Sequence, residues 1–160
     1  PLIDPTVVDS VVERFLEGDC DYAANINPPT FPDGLDSEVM SFEALERAWV
    51  DAKLPADREH VTLYIRNNPE RFKIANVAYH DDISKLRLTL DTPEDYEFLN
   101  RLIQKLEMQR VSESNPRFLL GEILDTLNKD RFLFNDGSNE TFSPKETYYS
   151  SLQRDYMPRL

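Results

Sequence analysis

The chain has 160 residues, 40% of them apolar and 30% charged, which is enough apolar side chain to bury one core and excludes disorder throughout. Thirty Asp and Glu against eighteen Lys and Arg leave a net charge of −12, which argues against nucleic acid and anionic membrane as partners, since basic patches hold both. No apolar run approaches the roughly 20 residues of a membrane span, and the one cysteine, Cys20, excludes an internal disulfide and a Cys-rich zinc site.

Asp4-Pro5 starts a helix, with Asp accepting from early backbone N–H groups and Pro at the first helical position. Val7, Val8, Val11, Val12, Phe15 and Leu16 recur at helical spacing, and Gly18 is the stop. Residues 21–26 read as a short strand. Residues 27–36 hold three prolines and Asp33-Gly34, and so form a loop. A second short strand over 37–42 is expected. Ser41 then caps a helix with Phe42, Leu45, Ala48, Trp49 and Ala52 on one face, which makes Trp49 a core residue, and Pro55 ends it. One short helix over 58–66 and a strand over 73–79 follow, with Asn68-Pro69 between them. Leu86, Leu88 and Leu90 alternate with Arg87, Thr89 and Asp91, which predicts another strand. Thr92-Pro93-Glu94-Asp95 starts a helix whose stripe is Tyr96, Leu99, Leu102, Ile103 and Leu106. Asn115-Pro116 interrupts the chain before a last amphipathic helix carrying Leu119, Leu120, Ile123, Leu124 and Leu127. Residues 128–160 read as a polar tail or linker, with Tyr148, Tyr149 and Tyr156 as docking residues.

Strands alternating with helices predict an α/β fold. The opening strand and Gly-rich turn of such a fold do not occur in these residues, and Pro1-Leu2-Ile3 reads like mid-chain sequence. The expectation is a C-terminal portion, residues 1–127, of a larger α/β domain. With no basic-then-apolar leader, a cytoplasmic location is expected.

Asp91 ends the alternating segment just before a capped helix. A carboxylate at that edge of a sheet suits Mg²⁺, and it suits equally a role in capping the helix. Residues 31–38 concentrate Asp33, Asp36 and Glu38 on a stiff loop, which reads either as a sugar- or metal-facing surface or as a solvated turn. Arg58-Glu59-His60 is a catalytic dyad candidate or a charged helix start, and His80-Asp81-Asp82 reads as a turn. Gly18-Asp19-Cys20 has no base partner for a nucleophile. There is no Walker loop, dinucleotide glycine fingerprint or nucleophile elbow.

Five stretches stand together in order: Pro1-Leu2-Ile3-Asp4-Pro5, Phe31-Pro32-Asp33-Gly34-Leu35-Asp36, Arg58-Glu59-His60-Val61-Thr62, Asn68-Pro69-Glu70-Arg71-Phe72 and Leu90-Asp91-Thr92-Pro93-Glu94-Asp95. In these the chain resembles the cytidylyltransferases of the spore-coat-polysaccharide type, relatives of the enzymes that make CMP-sugars. The resemblance runs to about residue 127. It implies a Rossmann-like nucleotidyltransferase fold, of which this chain would be the acceptor-side half, without the Gly- and Arg-rich CTP loop. It implies that Asp91 is a Mg²⁺ ligand, that Asp33, Gly34, Asp36 and Glu38 form the acceptor-side loop, and that Arg58, Glu59 and His60 lie near the acceptor pocket. The chain departs from the family at Pro29, where an Arg is usual, and at Phe31, Leu63 and Leu88, where Tyr, Pro and Trp are usual.

The implied reaction is attack of a sugar oxygen on the α-phosphorus of CTP, with pyrophosphate leaving and Mg²⁺ bridging phosphate oxygens. The implied partners are CTP and a sugar, with a homodimer as a further expectation. The isolated chain is expected to be inactive and to bind Mg²⁺ weakly. The alternative is a non-enzymatic dimerisation or interaction module derived from the same family.

Overall fold

The computed structural model describes residues 2–109 and 118–129. In chain order the elements are α1 (Pro5–Leu16), β1 (Tyr22–Ala24), β2 (Glu38–Met40), α2 (Phe42–Asp51), α3 (Pro55–Glu59), α4 (Leu63–Arg66), β3 (Ile74–Asn76), α5 (Pro93–Gln109) and α6 (Leu120–Lys129). The strands form a small mixed sheet in the order β2-β1-β3, with β1 antiparallel to β2 and parallel to β3. This is the α/β class expected.

The sheet is short but covered on both faces, and the two-residue period of a strand decides which side chain goes where. Ala23, Ala75 and Val39 face α1, where Val11 is fully buried and Phe15 packs beside it. Tyr22, Ala24, Met40 and Ile74 face the other way, toward Ala44 and Ala48 of α2 and Ile65 of α4. A third cluster joins Leu2, Val7, Phe31, Leu35 and Leu88 to the apolar seam of α5 and α6.

Local chemistry sets the helix ends. Asp4 Oδ1 accepts from the Thr6 N–H at 2.8 Å and starts α1. Gly18, at φ +81°, takes the left-handed conformation that ends it. Ser41 Oγ accepts from the Ala44 N–H at 3.0 Å and starts α2. Thr92 Oγ1 accepts from the Asp95 N–H at 3.1 Å, while Asp95 Oδ2 accepts from the Thr92 N–H at 3.1 Å, a reciprocal box at the start of α5.

Four expectations change. Trp49 is not core: it is 66% exposed, and Phe42 is 74% exposed. On the 3.6-residue repeat Ala44 and Ala48 share one face of α2, and Phe42 and Trp49 share the opposite one. The alanines face the sheet because Tyr22 and Phe72 already fill the space between sheet and helix. The helix expected over 58–66 is two, α3 and α4, with Val61 exposed between them. The chain turns there, and the Leu63 N–H donates to the His60 carbonyl at 3.0 Å.

The alternating segment 86–91 is not a strand of the sheet. It makes one parallel bridge, Asp33 with Arg87, in which the Asp33 N–H donates to Leu86 O at 2.9 Å and the Leu88 N–H donates to Asp33 O at 2.7 Å. Gly34 then turns the loop away, so the ladder stops and Leu90 stays half-exposed. In α5 the buried seam is Asp95, Phe98, Leu99, Leu102 and Leu106, and Tyr96 is exposed. The last helix runs to Lys129. The Asn115-Pro116 break and the tail tyrosines Tyr148, Tyr149 and Tyr156 lie outside the described residues.

Candidate functional site

Two asparagines pin the loop after β1. The buried Asn25 donates from Nδ2 to the Leu35 carbonyl at 3.0 Å, and its Oδ1 accepts from the Ser37 N–H at 2.9 Å. Asn76 Oδ1 accepts from the Asn27 N–H at 2.8 Å, and its Nδ2 donates to the Pro28 carbonyl at 3.2 Å. Gly34 lets the loop lie against residues 88–89: at φ +99°, a Cβ built there would sit 2.7 Å from the Leu88 carbonyl carbon and from the Thr89 nitrogen.

Arg87 gathers three carboxylates from three segments. Its Nη1 donates to Asp33 Oδ2 at 3.2 Å, and its Nη2 donates to Asp91 Oδ2 at 2.8 Å and to Asp95 Oδ2 at 2.9 Å. The Nε adds a bond to Asp95 Oδ1 at 3.2 Å, so Asp95 is held at both oxygens. That guanidinium, helped by the Asp91 and Thr92 N–H groups, pushes the Asp95 carboxyl down to about 2. The same carboxylates raise Arg87 above its ordinary value, Asp95 most of all. Burial raises Asp33 and outweighs the opposing pull of Arg87.

The other end of the loop enters a second network. Glu38 Oε1 accepts from the Tyr22 O–H at 2.5 Å and from the Thr62 hydroxyl at 2.9 Å. Burial, and then Glu38, raise the Tyr22 phenol above its ordinary value. Asp36 lies between the two networks. Its side chain reaches solvent, yet desolvation by the surrounding loop, and then the Asp33 and Glu38 charges, push it up to about 6.

A carboxyl raised on folding binds its proton more tightly in the folded chain than in the unfolded one. Between an unfolded value of about 4 and the folded value, the folded state therefore holds more protons, and stability falls as pH rises through that window. The Asp36 contribution is complete below the unfolded value and is lost as pH rises through about 6. Asp36→Asn is therefore expected to be more stable than the parent at pH 7.5 and to lose part of the slope between pH 4 and 6.5. Urea unfolding at several pH values measures both.

The structure thus sets Asp33, Asp36 and Glu38 along one loop as an acidic strip, and Arg87 ties Asp91 to it through Asp33. Arg58 points elsewhere: its Nη1 donates to the Trp49 carbonyl at 2.7 Å, and its guanidinium sits 5.6 Å from the Trp49 ring, bracing the end of α2. Glu59 is exposed. His60 is half-buried and leads the chain to Thr62, which touches the site through Glu38. Asp19 pairs with Arg14 at 2.6 Å, away from any nucleophile role for Cys20, whose thiol is raised by burial.

Asp91 keeps 66% of its side chain exposed, and its Oδ1 makes no hydrogen bond among the described residues. Among those residues no group of three or more His, Cys, Asp or Glu is arranged around a metal position. One exposed carboxylate oxygen is a donor of the type a hard divalent cation takes, and a single such donor does not by itself make a metal site.

Sequence reasoning did not single out Asn25, Tyr22, Thr62, Arg66 or Arg87. Arg87 carried a readable signal, since it stands four and eight residues before Asp91 and Asp95. The others gather only through strand pairing and the packing of α4.

Comparison with known proteins agrees with this architecture. A cytidylyltransferase family model matches residues 1–119. An uncharacterised protein of Methanocaldococcus jannaschii is 34% identical over 141 residues, covering 87% of this chain and 54% of that protein. The spore coat polysaccharide biosynthesis protein SpsF of Bacillus subtilis is 29% identical over 133 residues, covering 81% of this chain and 52% of SpsF. The chain spans about half the length of these curated relatives. The structure of a cytidylyltransferase from Leptospira borgpetersenii superposes with a TM-score of 0.75 at 31% identity, over 88% of this chain and 57% of that one. Sequence motifs, a mixed sheet with this loop geometry and these matches converge, and the chain belongs to the cytidylyltransferase family.

Proposed function

We propose that this chain is the acceptor-side part of a Rossmann-like, CMP-sugar-forming cytidylyltransferase of nucleotide-sugar and polysaccharide biosynthesis. The observation that carries the reading is the acidic strip: Asp33, Asp36 and Glu38 on a loop clamped by Asn25, and Asp91 tied to the same loop through Arg87. Carboxylates in that arrangement accept hydrogen bonds from sugar hydroxyls, and a clamped loop holds them without further ordering on binding. Gly34 lets the loop approach residues 88–89. In this reading the segment holding Arg58, Glu59 and His60 lies near the acceptor pocket through Thr62, while the Arg58 side chain itself braces α2.

In the reaction a sugar hydroxyl oxygen bonds to the α-phosphorus of CTP as the bond from that phosphorus to the bridging oxygen breaks; pyrophosphate carries away the electron pair, and the hydroxyl proton passes to solvent. Mg²⁺, when bound, offsets phosphate charge. Asp91 is the ligand these residues contribute; the acidic loop orients the acceptor. No Gly- and Arg-rich CTP loop occurs in the 160 residues, so CMP transfer by this chain alone is expected to be undetectable.

The test is pyrophosphate release by the complete gene product supplied with CTP, Mg²⁺ and a panel of sugars. Asp91→Asn is expected to lower turnover by about a hundredfold or more, the usual cost of losing one preorganised electrostatic contact to the transferring group. Undiminished turnover in that variant would overturn the assignment of Asp91. A second reading, an interaction module, is favoured by one observation: Phe42 and Trp49 leave an apolar stripe exposed on α2. Such a module, a homodimer in the sense expected from the sequence, would self-associate in light scattering while its complete gene product released no pyrophosphate.

A further inference from the structure

Arg87 precedes α5, and a buried carboxylate of that helix grips it. Its Nε donates to Asp95 Oδ1 at 3.2 Å and its Nη2 to Asp95 Oδ2 at 2.9 Å, and only 6% of the Asp95 side chain is exposed. Asp95 is fixed in turn by the helix start. Its Oδ2 accepts from the Asp91 N–H at 2.9 Å and the Thr92 N–H at 3.1 Å, and its own N–H donates to Thr92 Oγ1. A planar guanidinium bound to both oxygens of a fixed carboxylate does not turn freely, so α5 sets the aim of its remaining N–H groups.

The remaining contacts are unequal. Asp91 keeps 66% of its side chain in solvent, so its pairing with Arg87 is screened and contributes little. Asp33 keeps 21%, and Arg87 Nη1 donates to its Oδ2 at 3.2 Å. Asp33 lies fifty-four residues earlier in the chain and opens the acidic loop. The far end of that loop is held elsewhere, by Asn25 on Leu35 and Ser37. At the near end the backbone bridge to Leu86 and Leu88 fixes the Asp33 main chain. The bridge leaves the Asp33 carboxylate facing the Asp91 and Asp95 charges, both of which disfavour its ionised form, and Arg87 opposes them.

We propose that Arg87 is a positioning residue of the acceptor site: Asp95 sets its place at the start of α5, and it holds the Asp33 carboxylate at a fixed distance from that helix. It acts through Asp33 and not on the sugar, because its Nε, one Nη1 and both Nη2 N–H groups already donate to carboxylates. The inference rests on the proposed function and deepens it, since it names the contact that keeps the first carboxylate of the loop in place before a sugar arrives.

The test measures steady-state pyrophosphate release by the complete gene product with CTP, Mg²⁺ and whichever sugar of the panel is turned over fastest. Arg87→Gln is expected to raise the KM for that sugar about tenfold or more and to leave the KM for CTP within about twofold of the parent. Arg87→Lys keeps the charge but not the fork, so it is expected to restore stability to urea more fully than it restores the sugar KM. Asp33→Asn completes a double-variant cycle. Because Arg87 acts through Asp33, the double variant is expected to raise the sugar KM by less than the product of the two single effects. Should Arg87→Gln not fold, the same cycle is run with Arg87→Lys. Purely structural support would lower the active fraction, and so kcat, with both KM values unchanged; that result overturns the inference and leaves the proposed function standing. A double variant whose sugar KM equals the product of the single effects overturns it as well. If the parent releases no pyrophosphate with any sugar, both fall.

Discussion

Gly34→Ala is expected to lower stability by about 3 kcal/mol or more, the combined cost of a left-handed non-glycine residue and of overpacking against rigid backbone. The position has no room to relax. Its φ is +99°, and the added carbon would lie 2.7–2.8 Å from three backbone atoms of residues 88–89. Those atoms belong to the segment that Asp33 holds through two backbone hydrogen bonds, so pushing them apart also breaks the bridge that places Arg87 against Asp33. The acidic strip would therefore loosen along with the fold. Gly121 is the internal control. It lies in α6, where an added Cβ would meet nothing within 4 Å, and Gly121→Ala is expected to gain about 0.5 kcal/mol from helix propensity. Urea unfolding of both variants, with amide resonances of residues 33, 87 and 91 as local reporters, checks the contrast. Equal stabilities for parent and Gly34→Ala would contradict the close approach.

Asp4→Ala is expected to cost about 2–4 kcal/mol, because one buried carboxylate satisfies two helix starts. Asp4 Oδ1 accepts from the Thr6 N–H and hydroxyl, both at 2.8 Å, and Oδ2 accepts from the Leu120 N–H at 2.7 Å. The residue is 3% exposed, so water does not replace the lost acceptors. The second bond joins the first residues of the chain to α6, whose Leu120, Ile123 and Leu127 complete the largest core cluster. Asp4→Asn separates the two roles. An amide keeps one oxygen for α1 but presents N–H groups to the Leu120 N–H, so roughly half of the loss is expected. Hydrogen exchange should report faster opening of α6 in both variants and of α1 only in Asp4→Ala. Unchanged α6 protection would show that this contact does not hold the helix.

Much of the molecule was readable from residue order because it depends on near neighbours. The helix starts at Asp4-Pro5, Ser41 and Thr92-Pro93 were legible, since a capping oxygen reaches only two or three residues along its own chain. The Gly18 stop, the proline-rich loop and the short strands at 22–24 and 38–40 were legible for the same reason. The five motifs carried the family, which the comparisons then established.

Where neighbours along the chain were equivocal, long-range contacts decided. Phe42 and Trp49 carry the larger apolar groups of α2, yet Ala44 and Ala48 are inside, because the opposing sheet face leaves room only for small side chains. Leu86 to Leu90 alternates as a strand should, but a ladder needs a partner of equal length, and Gly34 removes that partner after one bridge. Residue order alone thus determined the α/β class and the helix starts, which rest on spacing, and its five motifs carried the resemblance to the cytidylyltransferases. Only the tertiary structure decided that Arg87 gathers Asp33, Asp91 and Asp95, and that Arg66 and Tyr22 converge near Glu38. The reason is physical: the reach of a side chain is a few ångströms in space, and packing alone brings residues sixteen to fifty-four positions apart within it.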